Sequence, residues 1–318
     1  MNHQNQNGNA QPASGIPPLL DGASGIGAPL SRESMKLSEM VRDKTLSHID
    51  RIESFEDIIN IEVGDTPLTR VRNLERETGI RQLFLKFEGG NPSGTQKDRI
   101  SFAQCLDALR RGYDTITMAT CGNYGAAVAL GAQLAGLRCY IYIPDSYHTQ
   151  RLHEMEKTGA NIKRVPGSYE TAVHLSHEES VKNEWYDANP GGDNTPLQIM
   201  AYAEIANEIY DQLRDAPRIV AVPVSNGTLL AGIYRGFVNL YKRGKTSRIP
   251  KMIAASSTQK NAIIHSFKKG VDHCEDLKPE AIRETKVNEP LINWHSFDGN
   301  EALYALQQTG GGAYHISD

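Results

Sequence analysis

The most constraining feature of the sequence is a regular alternation of apolar runs and helical segments between Thr115 and Lys269. Each run has the continuous apolar character of a strand that is buried on both faces. The segments between the runs are about ten to fifteen residues long and carry apolar residues at helical spacing. In order, the runs read TITMAT, RCYIYIP, NIKRVP, RIVAVPV and KMIAASS. Because strands that alternate with helices build βαβ units, the pattern predicts an α/β protein with parallel sheets flanked by helices.

The sequence before this alternation has a different character. Residues 1–33 are rich in Asn, Gln, Gly, Pro and Ser, a composition that is typical of a disordered tail. From about Ser34 to Ile52 the spacing of apolar residues predicts a helix. The run from Leu83 to Phe87 predicts a strand, and ISFAQCLDALRRG predicts a helix that ends at Gly112. The ordered fold is therefore expected to begin near Ser34.

Composition argues against several classes of partner. The 318 residues are 39% hydrophobic and 23% charged, which is ordinary for a globular protein of one or two domains. A net charge of -4 with scattered lysines and arginines gives no reason to expect nucleic acid or a membrane as partner. The start lacks the pattern of a signal peptide, and the most apolar stretch, Ala126 to Gly136, is too short to span a membrane. We therefore expect a cytoplasmic protein with reduced thiols.

Neither the cysteines nor the histidines form a metal-binding pattern. The four cysteines have no CxxC spacing, which argues against a zinc site. His174 and His177 lie three residues apart on a predicted helix and could face one ion, but the nearby sequence offers no third ligand. We therefore predict no metal site and assign both histidines to an ordinary helix face.

A lysine lies between a glycine-rich turn and a helix in GGNPSGTQKDRIS, residues 89–101. Lys97 should begin the helix, where partial positive charge disfavours an ammonium group and favours the neutral amine. Only a neutral amine attacks an aldehyde such as that of pyridoxal phosphate to form a Schiff base. One alternative is a surface lysine in a helix start capped by Thr95. A nucleotide-type phosphate loop does not fit, because Thr95 and Gln96 occupy the positions of its Lys and Ser/Thr.

A second loop, ATCGNYG from Ala119 to Gly125, follows a predicted strand and opens a predicted helix. Its small residues, its backbone N–H groups and the amide of Asn123 suit a carboxylate with an adjacent hydroxyl or phenolate oxygen. The alternative is a tight turn that packs beneath the alanine-rich helix. This segment alone does not decide between the two interpretations.

A third loop, VPVSNGTLLAG from Val222 to Gly232, also connects a predicted strand to a predicted helix. Backbone N–H groups, hydroxyls and a helix dipole can together hold a phosphate dianion without any lysine or arginine. The loop has no G-x-G-x-x-G pattern and therefore does not indicate a dinucleotide site. Since ligands of parallel α/β proteins bind at the carboxyl ends of strands, we expect the three loops to meet at one site.

The three loops together supply a nucleophilic amine, a carboxylate cradle and a phosphate cradle. This combination indicates pyridoxal 5′-phosphate as cofactor and an amino acid as substrate. At these loops the sequence resembles the tryptophan synthase beta-like superfamily of fold type II pyridoxal phosphate enzymes, from about Gly64 to the last residue. It is most similar to the threonine synthase family, in the segments NPSGTQKDR, VPVSNGTLLAGIYRGF, NEPLINW and GGGAYHISD.

The resemblance implies a role for each matching residue. Lys97 would carry the cofactor as a Schiff base and move protons during catalysis, and Asn123 would form a hydrogen bond with the phenolic oxygen of the cofactor. The carboxylate of the substrate would be bound by Thr120, Cys121, Gly122 and Tyr124. The 5′-phosphate would be held by Ser225, Asn226, Gly227, Thr228 and Leu229.

The resemblance also implies two domains and a reaction. Residues 34–99 and 184–318 would form a large cofactor-binding domain that lacks its C-terminal end, and residues 100–183 a small domain that closes over the substrate. The implied reaction is a lyase reaction that converts O-phosphohomoserine and water to threonine and phosphate. Two alternatives stay open: a β-replacement enzyme of the cysteine synthase type, and a non-catalytic or truncated protein that binds the cofactor. A homodimer is the candidate assembly.

Overall fold

The computed structural model describes residues 30–120, 122–147, 149–282, 285, 288 and 291–317. Among the helices described, none joins enough length to enough apolar character to cross a membrane. The α-helices are α1 (Arg32–Arg42), α2 (His48–Glu62), α3 (Arg72–Thr78), α4 (Lys97–Arg110), α5 (Asn123–Ala135), α6 (Leu152–Lys157), α7 (Tyr169–Asn183), α8 (Thr195–Leu213), α9 (Thr228–Lys242), α10 (Ala262–Lys269) and α11 (Gly299–Gln308). The strands are β1 (Leu68–Arg70), β2 (Phe84–Lys86), β3 (Thr115–Ala119), β4 (Arg138–Pro144), β5 (Asn161–Val165), β6 (Tyr186–Asp187), β7 (Ile219–Pro223), β8 (Lys251–Ser257) and β9 (Gly312–Ile316).

The strands form two parallel sheets and one antiparallel pair. The larger sheet has the order β5-β4-β3-β6, and the second has the order β7-β8-β9. All neighbours in these two sheets are parallel, whereas β1 and β2 pair in the antiparallel direction. The helices pack against the parallel sheets, with α5 and α7 both in contact with β3 and β4. The structure therefore confirms the predicted α/β fold with parallel sheets flanked by helices.

The predicted helix from Ser34 to Ile52 is two helices, so the prediction of one continuous helix was wrong. Helix α1 ends at Arg42, and α2 begins at His48 after Ser47, whose hydroxyl accepts a hydrogen bond from the Asp50 N–H at 3.1 Å. Such a cap satisfies one of the free donors at a helix start and favours a new helix there. At the other end, α1 includes Arg32 and Glu33, which were assigned to the tail, and residues 1–29 lie outside the described residues.

The two N-terminal helices attach to the helices that carry the lysine loop and the second loop. The Phe55 ring of α2 stacks on the Phe102 ring of α4, with 6.0 Å between the ring centroids. The Ser38 hydroxyl of α1 donates to the Leu134 carbonyl oxygen at the end of α5, at 3.1 Å. Both phenylalanines are fully buried, and burial of a side chain of this size contributes about 2 kcal/mol. The N-terminal helices thereby help to hold α4 and α5 in place.

The four-stranded sheet runs beyond the expected limits of the small domain. Its strands lie between Thr115 and Asp187, so β6 falls after residue 183, where the small domain was expected to end. The expected boundary after residue 99 falls inside α4, which begins at Lys97. The division into two domains therefore stays a prediction, with α4 as the element shared by both parts.

Candidate active site

Four helices begin at one cavity of about 610 Å³. Each of them contributes its first residue to the lining, and these residues are Lys97 of α4, Asn123 of α5, Tyr169 of α7 and Thr228 of α9. A helix N-terminus carries partial positive charge and N–H donors without an intrahelical partner. The cavity is therefore suited to a ligand with more than one anionic group.

The three loops singled out in the sequence lie around this cavity. Nearly all the residues predicted to bind cofactor or substrate line it, namely Lys97, Thr120, Gly122, Asn123, Tyr124, Ser225, Asn226, Gly227, Thr228 and Leu229. Cys121 lies outside the described residues. The structure thus brings together residues that are more than one hundred positions apart in the sequence, because β3 and β7 both end at the cavity.

Lys97 begins α4 and faces the cavity. Its Nζ atom lies 5.4 Å from the centre of the Tyr124 ring, within the range of a cation–π contact. Its backbone N–H donates to the Thr95 hydroxyl oxygen at 3.2 Å, so Thr95 does contact the start of the helix. The side chain nevertheless lines the cavity, which disfavours the interpretation of Lys97 as an ordinary surface lysine.

The residue after Lys97 anchors the lysine loop from within the protein. Asp98 is fully buried, and its Oδ2 atom accepts a hydrogen bond from the Ser93 N–H at 2.8 Å. Burial raises the pKa of Asp98 to about 7, against the opposing effect of hydrogen bonds from Ser93. The loop that precedes Lys97 therefore closes on the first turn of α4.

The next residue, Arg99, ties the lysine loop to α8. Its guanidinium donates to Glu88 at 2.6 Å and 3.0 Å and to Glu208 of α8 at 2.7 Å and 2.9 Å. Burial acts to raise the pKa of Glu208, but the bonds from Arg99 and Lys86 outweigh it and lower that pKa to about 2. Removing one partner of such a buried group is strongly destabilising, so this cluster fixes where α4 starts.

The turn between β3 and α5 is held largely by one of its own residues. The Thr120 hydroxyl oxygen accepts hydrogen bonds from the Gly122 N–H at 2.9 Å and the Gly125 N–H at 3.0 Å. Gly122 has φ +151°, and a Cβ atom there would lie 2.7 Å from the Thr149 Oγ1 atom. The turn is compact enough to leave the N–H groups at the start of α5 at the cavity wall.

The predicted role of Tyr124 in carboxylate binding is narrowed by the structure. Its hydroxyl donates to the Ala188 carbonyl oxygen at 2.6 Å and accepts from the Gln104 side chain. Burial raises the pKa of this phenol, so it stays protonated as the donor. Because the hydroxyl is used away from the cavity, a contribution of Tyr124 to substrate binding has to come from its backbone N–H or its ring.

The turn between β7 and α9 is held by residues from other parts of the chain. The Asn261 side chain donates to the Ser225 carbonyl oxygen at 3.1 Å, and the Asn293 side chain donates to the Asn226 Oδ1 atom at 3.1 Å. Gly227 has φ +98°, and a Cβ atom there would lie 2.7 Å from the Ala302 Cβ atom. Because Asn261 binds the Ser225 carbonyl oxygen, the N–H groups of the turn are left to form a backbone nest at a helix N-terminus. Such a site fits a phosphate dianion.

Asp298, which the sequence analysis missed, sits behind this phosphate-type turn. It is buried, and it accepts hydrogen bonds from the Thr228 hydroxyl of α9 and, at 3.0 Å, from the Thr195 hydroxyl of α8. Burial raises the pKa of Asp298 despite these bonds. The Thr228 hydroxyl is therefore committed to Asp298, and the donor that residue 228 offers to a ligand is its backbone N–H. The sequence analysis predicted no helix over residues 299–308, so nothing in it marked the aspartate that directly precedes α11.

The histidines singled out in the sequence do not share a site. His177 Nδ1 lies 2.7 Å from the Asp187 Oδ2 atom, whereas the His174 ring packs edge-on at 6.3 Å from the Phe297 ring. Over the described part of the chain, no group of three or more His, Cys, Asp or Glu residues could hold a metal ion.

Comparison with known proteins identifies a family and a set of relatives. The family described as pyridoxal-phosphate dependent enzyme matches residues 59–318. The threonine synthase of Methanocaldococcus jannaschii is 29% identical to this chain over 263 residues, which is 82% of this chain. The match covers 63% of that relative, so the chain spans less than two thirds of its length.

Solved structures of other proteins share the fold. A fungal L-serine ammonia-lyase from Rhizomucor miehei has a TM-score of 0.66 at 21% identity, over 80% of this chain and 76% of that chain. A pyridoxal 5′-phosphate-dependent aspartate racemase has a TM-score of 0.67 at 20% identity, over 84% of this chain and 78% of that chain. Because these two proteins have different reactions and low identity, the likeness shows the fold alone.

Proposed function

The chain belongs to the pyridoxal-phosphate dependent enzyme family, and from that premise we propose that it is a lyase similar to threonine synthase. Pyridoxal 5′-phosphate is its cofactor. In this proposal the substrate is O-phosphohomoserine, and the products formed with water are threonine and phosphate. The relative that supports this reaction is the threonine synthase at 29% identity.

The observation that carries the proposal is the meeting of three loops around Lys97. One cavity is lined by the lysine, by the N-terminus of α5 with Asn123, and by the turn Ser225 to Thr228. Among the described residues of the lining, Lys97 is the only lysine, arginine or carboxylate side chain. A single basic residue between two anion-binding helix N-termini is the arrangement that a phosphorylated aldehyde cofactor and an amino acid require.

Each part of the cavity has a separate task in the proposed reaction. The cofactor, when bound, supplies an electron sink for the charge that develops at the α-carbon of the amino acid. The N–H groups of the turn before α9 hold the phosphate, and those at the start of α5 hold the substrate carboxylate. Lys97 takes the proton from the α-carbon and returns it, and the Tyr124 ring beneath its amine keeps water from that side.

Covalent attachment of the cofactor to Lys97 is the first test. The purified chain is mixed with pyridoxal 5′-phosphate and reduced with borohydride, and the labelled peptide is identified by mass spectrometry. We expect the label on Lys97 and none in the Lys97→Ala variant. The matched control is Lys36→Ala, which removes an exposed lysine of α1 and should leave labelling of Lys97 intact. A folded wild-type protein that carries no label on Lys97 would contradict the proposal.

The reaction is tested next, with the loaded protein and O-phosphohomoserine. Release of phosphate together with formation of threonine, measured by chromatography, supports the threonine synthase reaction. An absorption change of the bound cofactor without any product points to another amino acid as substrate. Absence of any change with a panel of amino acids, in protein that is labelled on Lys97, favours a non-catalytic cofactor-binding protein instead.

One observation favours a second function, β-replacement of the cysteine synthase type. Apart from Lys97, the polar side chains of the lining are neutral, and those outside the two strand-to-helix turns are Gln96, Thr149, Gln150 and Tyr169. Neutral donors suit an acetyl ester better than a second phosphate dianion, whose binding usually involves arginine or lysine. O-acetylserine with sulfide is therefore compared with O-phosphohomoserine under the same conditions. Cysteine formation without threonine formation would select this second function.

A further inference from the structure

Arg151, which immediately precedes α6, reaches two of the three loops of the site. Its Nη1 atom donates to the Asn123 Oδ1 atom at 3.1 Å, and its Nη2 atom donates to the Ser93 carbonyl oxygen at 2.7 Å. Ser93 belongs to the lysine loop, and Asn123 is the first residue of α5. The side chain of Arg151 is only 16% exposed, and its bond to Ser93 is partly buried, whereas its bond to Asn123 lies at the exposed side of the cavity.

The guanidinium of Arg151 is itself held in place by a carboxylate. Glu154, one turn further along α6, accepts from Arg151 Nη2 at 2.5 Å and from Nε at 3.1 Å. Two bonds from adjacent atoms of a planar group to one carboxylate fix the orientation of the plane. Arg151 therefore presents its remaining N–H groups to Asn123 and Ser93 in a defined direction.

The contact with Arg151 decides how the Asn123 amide is oriented. An arginine side chain has N–H donors and no acceptor, so the amide atom that faces it has to be the oxygen. The amide NH₂ group then points away from Arg151, and Asn123 lines the cavity. If the amide were flipped, its NH₂ group would face the N–H donors of Arg151, and the hydrogen bond would be lost. Arg151 thus makes Asn123 a donor toward the cavity.

We infer that Arg151 is a positioning residue of the cofactor site, which acts by fixing the amide of Asn123 so that its NH₂ group is offered to the phenolic oxygen of the cofactor. The same side chain couples the lysine loop to the start of α5 through its bond to Ser93. The inference rests on the proposed function, because it takes the cofactor to lie against Asn123.

The test compares four variants of the full chain: Arg151→Gln, Arg151→Lys, Asn123→Ala and the double variant Arg151→Gln/Asn123→Ala. Affinity for pyridoxal 5′-phosphate is measured by absorption titration, and the visible absorption of the bound cofactor is followed as a function of pH. We expect Arg151→Gln to weaken cofactor binding by about tenfold, the size of one hydrogen bond to a charged group. Arg151→Lys keeps one donor and should recover part of this loss.

The pair of single variants shows whether Arg151 acts through Asn123. We expect Arg151→Gln and Asn123→Ala to shift the pH dependence of the cofactor absorption in the same direction, and the double variant to bind no worse than Asn123→Ala. Losses that multiply in the double variant would overturn the inference. Wild-type affinity in either Arg151→Gln or Asn123→Ala would overturn it as well.

The matched control is Arg164→Gln. Arg164 also donates to backbone carbonyl oxygens, those of Pro144 at 3.1 Å and Tyr147 at 2.8 Å, but neither bond involves a residue of the three loops or of the cavity lining. The cofactor affinity and absorption of Arg164→Gln should match those of wild type. If this variant lost as much cofactor affinity as Arg151→Gln, the effect of Arg151 would be a general loss of structure and the inference would be wrong. Failure of the proposed function is recognised separately, since the wild-type chain would then carry no borohydride label on Lys97.

Discussion

The two strand-to-helix turns on either side of Lys97 have the same form but different supports. In each turn a strand of a parallel sheet ends, a glycine with positive φ precedes the helix, and no side chain caps that helix. The turn after β3 is stabilised mainly from within, by Thr120, whose hydroxyl accepts from two N–H groups of the turn, and Arg151 adds one contact from outside, to Asn123. The turn after β7 is stabilised from outside, by Asn261, Asn293 and Asp298.

The difference in support matches the ligands that we propose for the two turns. A turn held by residues from several distant segments is fixed before any ligand arrives, which suits a cofactor phosphate that stays bound through every cycle. A turn held by its own threonine can adjust with less disturbance elsewhere, which suits a substrate that enters and leaves. Asn123, on this second kind of turn, is exposed, whereas Thr228 on the first is buried.

The largest effect is expected when a side chain is added to the fixed turn. Gly227→Ala introduces a Cβ atom at φ +98° that would lie 2.7 Å from Ala302 Cβ and 3.1 Å from the Asp298 carbonyl oxygen. Left-handed strain and overpacking together should lower the free energy of unfolding by about 2–4 kcal/mol. We expect affinity for pyridoxal 5′-phosphate to fall by more than about tenfold. Urea unfolding and absorption titration measure the two effects.

Gly270→Ala is the matched control for this prediction. Gly270 has φ +75°, close to that of Gly227 in sign and size, but a Cβ atom there would meet nothing within 4 Å. The free energy of unfolding of this variant should fall by only about 1–2 kcal/mol, which is the cost of left-handed strain, and its cofactor affinity should not change. Equal loss of cofactor affinity in both variants would show that the crowded environment of Gly227 is not what holds the phosphate turn.

A smaller effect is expected when the internal support of the other turn is removed. Thr120→Val keeps the shape of the side chain but leaves the N–H groups of Gly122 and Gly125 without their acceptor. The free energy of unfolding should fall by about 2 kcal/mol. In the loaded protein, the amino-acid concentration that gives a half-maximal absorption change should rise about tenfold, while cofactor affinity changes less than in Gly227→Ala.

The control for Thr120→Val is the same substitution earlier in the strand. Among the described residues, the Thr117 hydroxyl has a single hydrogen-bond contact, with the Ser176 hydroxyl at 3.0 Å, and Ser176 keeps a second hydrogen bond from the Asn189 side chain. Thr117→Val should therefore cost about 1 kcal/mol and leave the response to amino acids unchanged. If Thr120→Val weakened cofactor binding more than Gly227→Ala does, the proposed division of tasks between the turns would be wrong.

The elements that were predicted well from the sequence are those that form an uninterrupted run of apolar residues. Strands β4 and β8 coincide with the predicted runs RCYIYIP and KMIAASS, because strands covered by helices on both faces are apolar along their whole length. The break between α1 and α2 was missed, since helical spacing continues across it and the only local signal is the cap at Ser47. Strand β6, at Tyr186–Asp187, is too short for any periodic pattern.

The residues of the site also divide into those with a local sequence pattern, which were predicted, and those without one, which were missed. Lys97 and the two turns were found because glycines, small residues and a strand-to-helix transition are adjacent in the sequence. Arg151 and Asp298 were missed because their partners are distant in sequence: Arg151 is 28 residues from Asn123, and Asp298 is 70 residues from Thr228. Only the packing of α6 against α5, and of α11 against α9, brings these side chains to their partners.

The smallest expected effect is on the pH dependence of the free energy of unfolding, to which the two turns should contribute differently. Burial raises the pKa of Asp298 above its ordinary value of 3.8, so the folded state binds this proton more tightly than the unfolded state does. Between these two pKa values the folded state holds the extra proton, and this group therefore makes stability fall as pH rises through that interval. Asp298→Asn removes this fall in stability. As pH rises through the interval, the free energy of unfolding of the variant should therefore increase relative to that of wild type.

Urea unfolding at a series of pH values from 4 upward measures the slope. Thr120, the support of the other turn, does not titrate, so Thr120→Val should be less stable than wild type by the same amount at every pH. Asp57→Asn, which removes an exposed carboxylate of α2, should follow the wild-type slope. If Asp298→Asn and wild type had parallel profiles, the carboxyl of Asp298 would not be perturbed by burial. The turn after β7 would then differ from the turn after β3 only in its hydrogen-bond geometry, and pH would affect both equally.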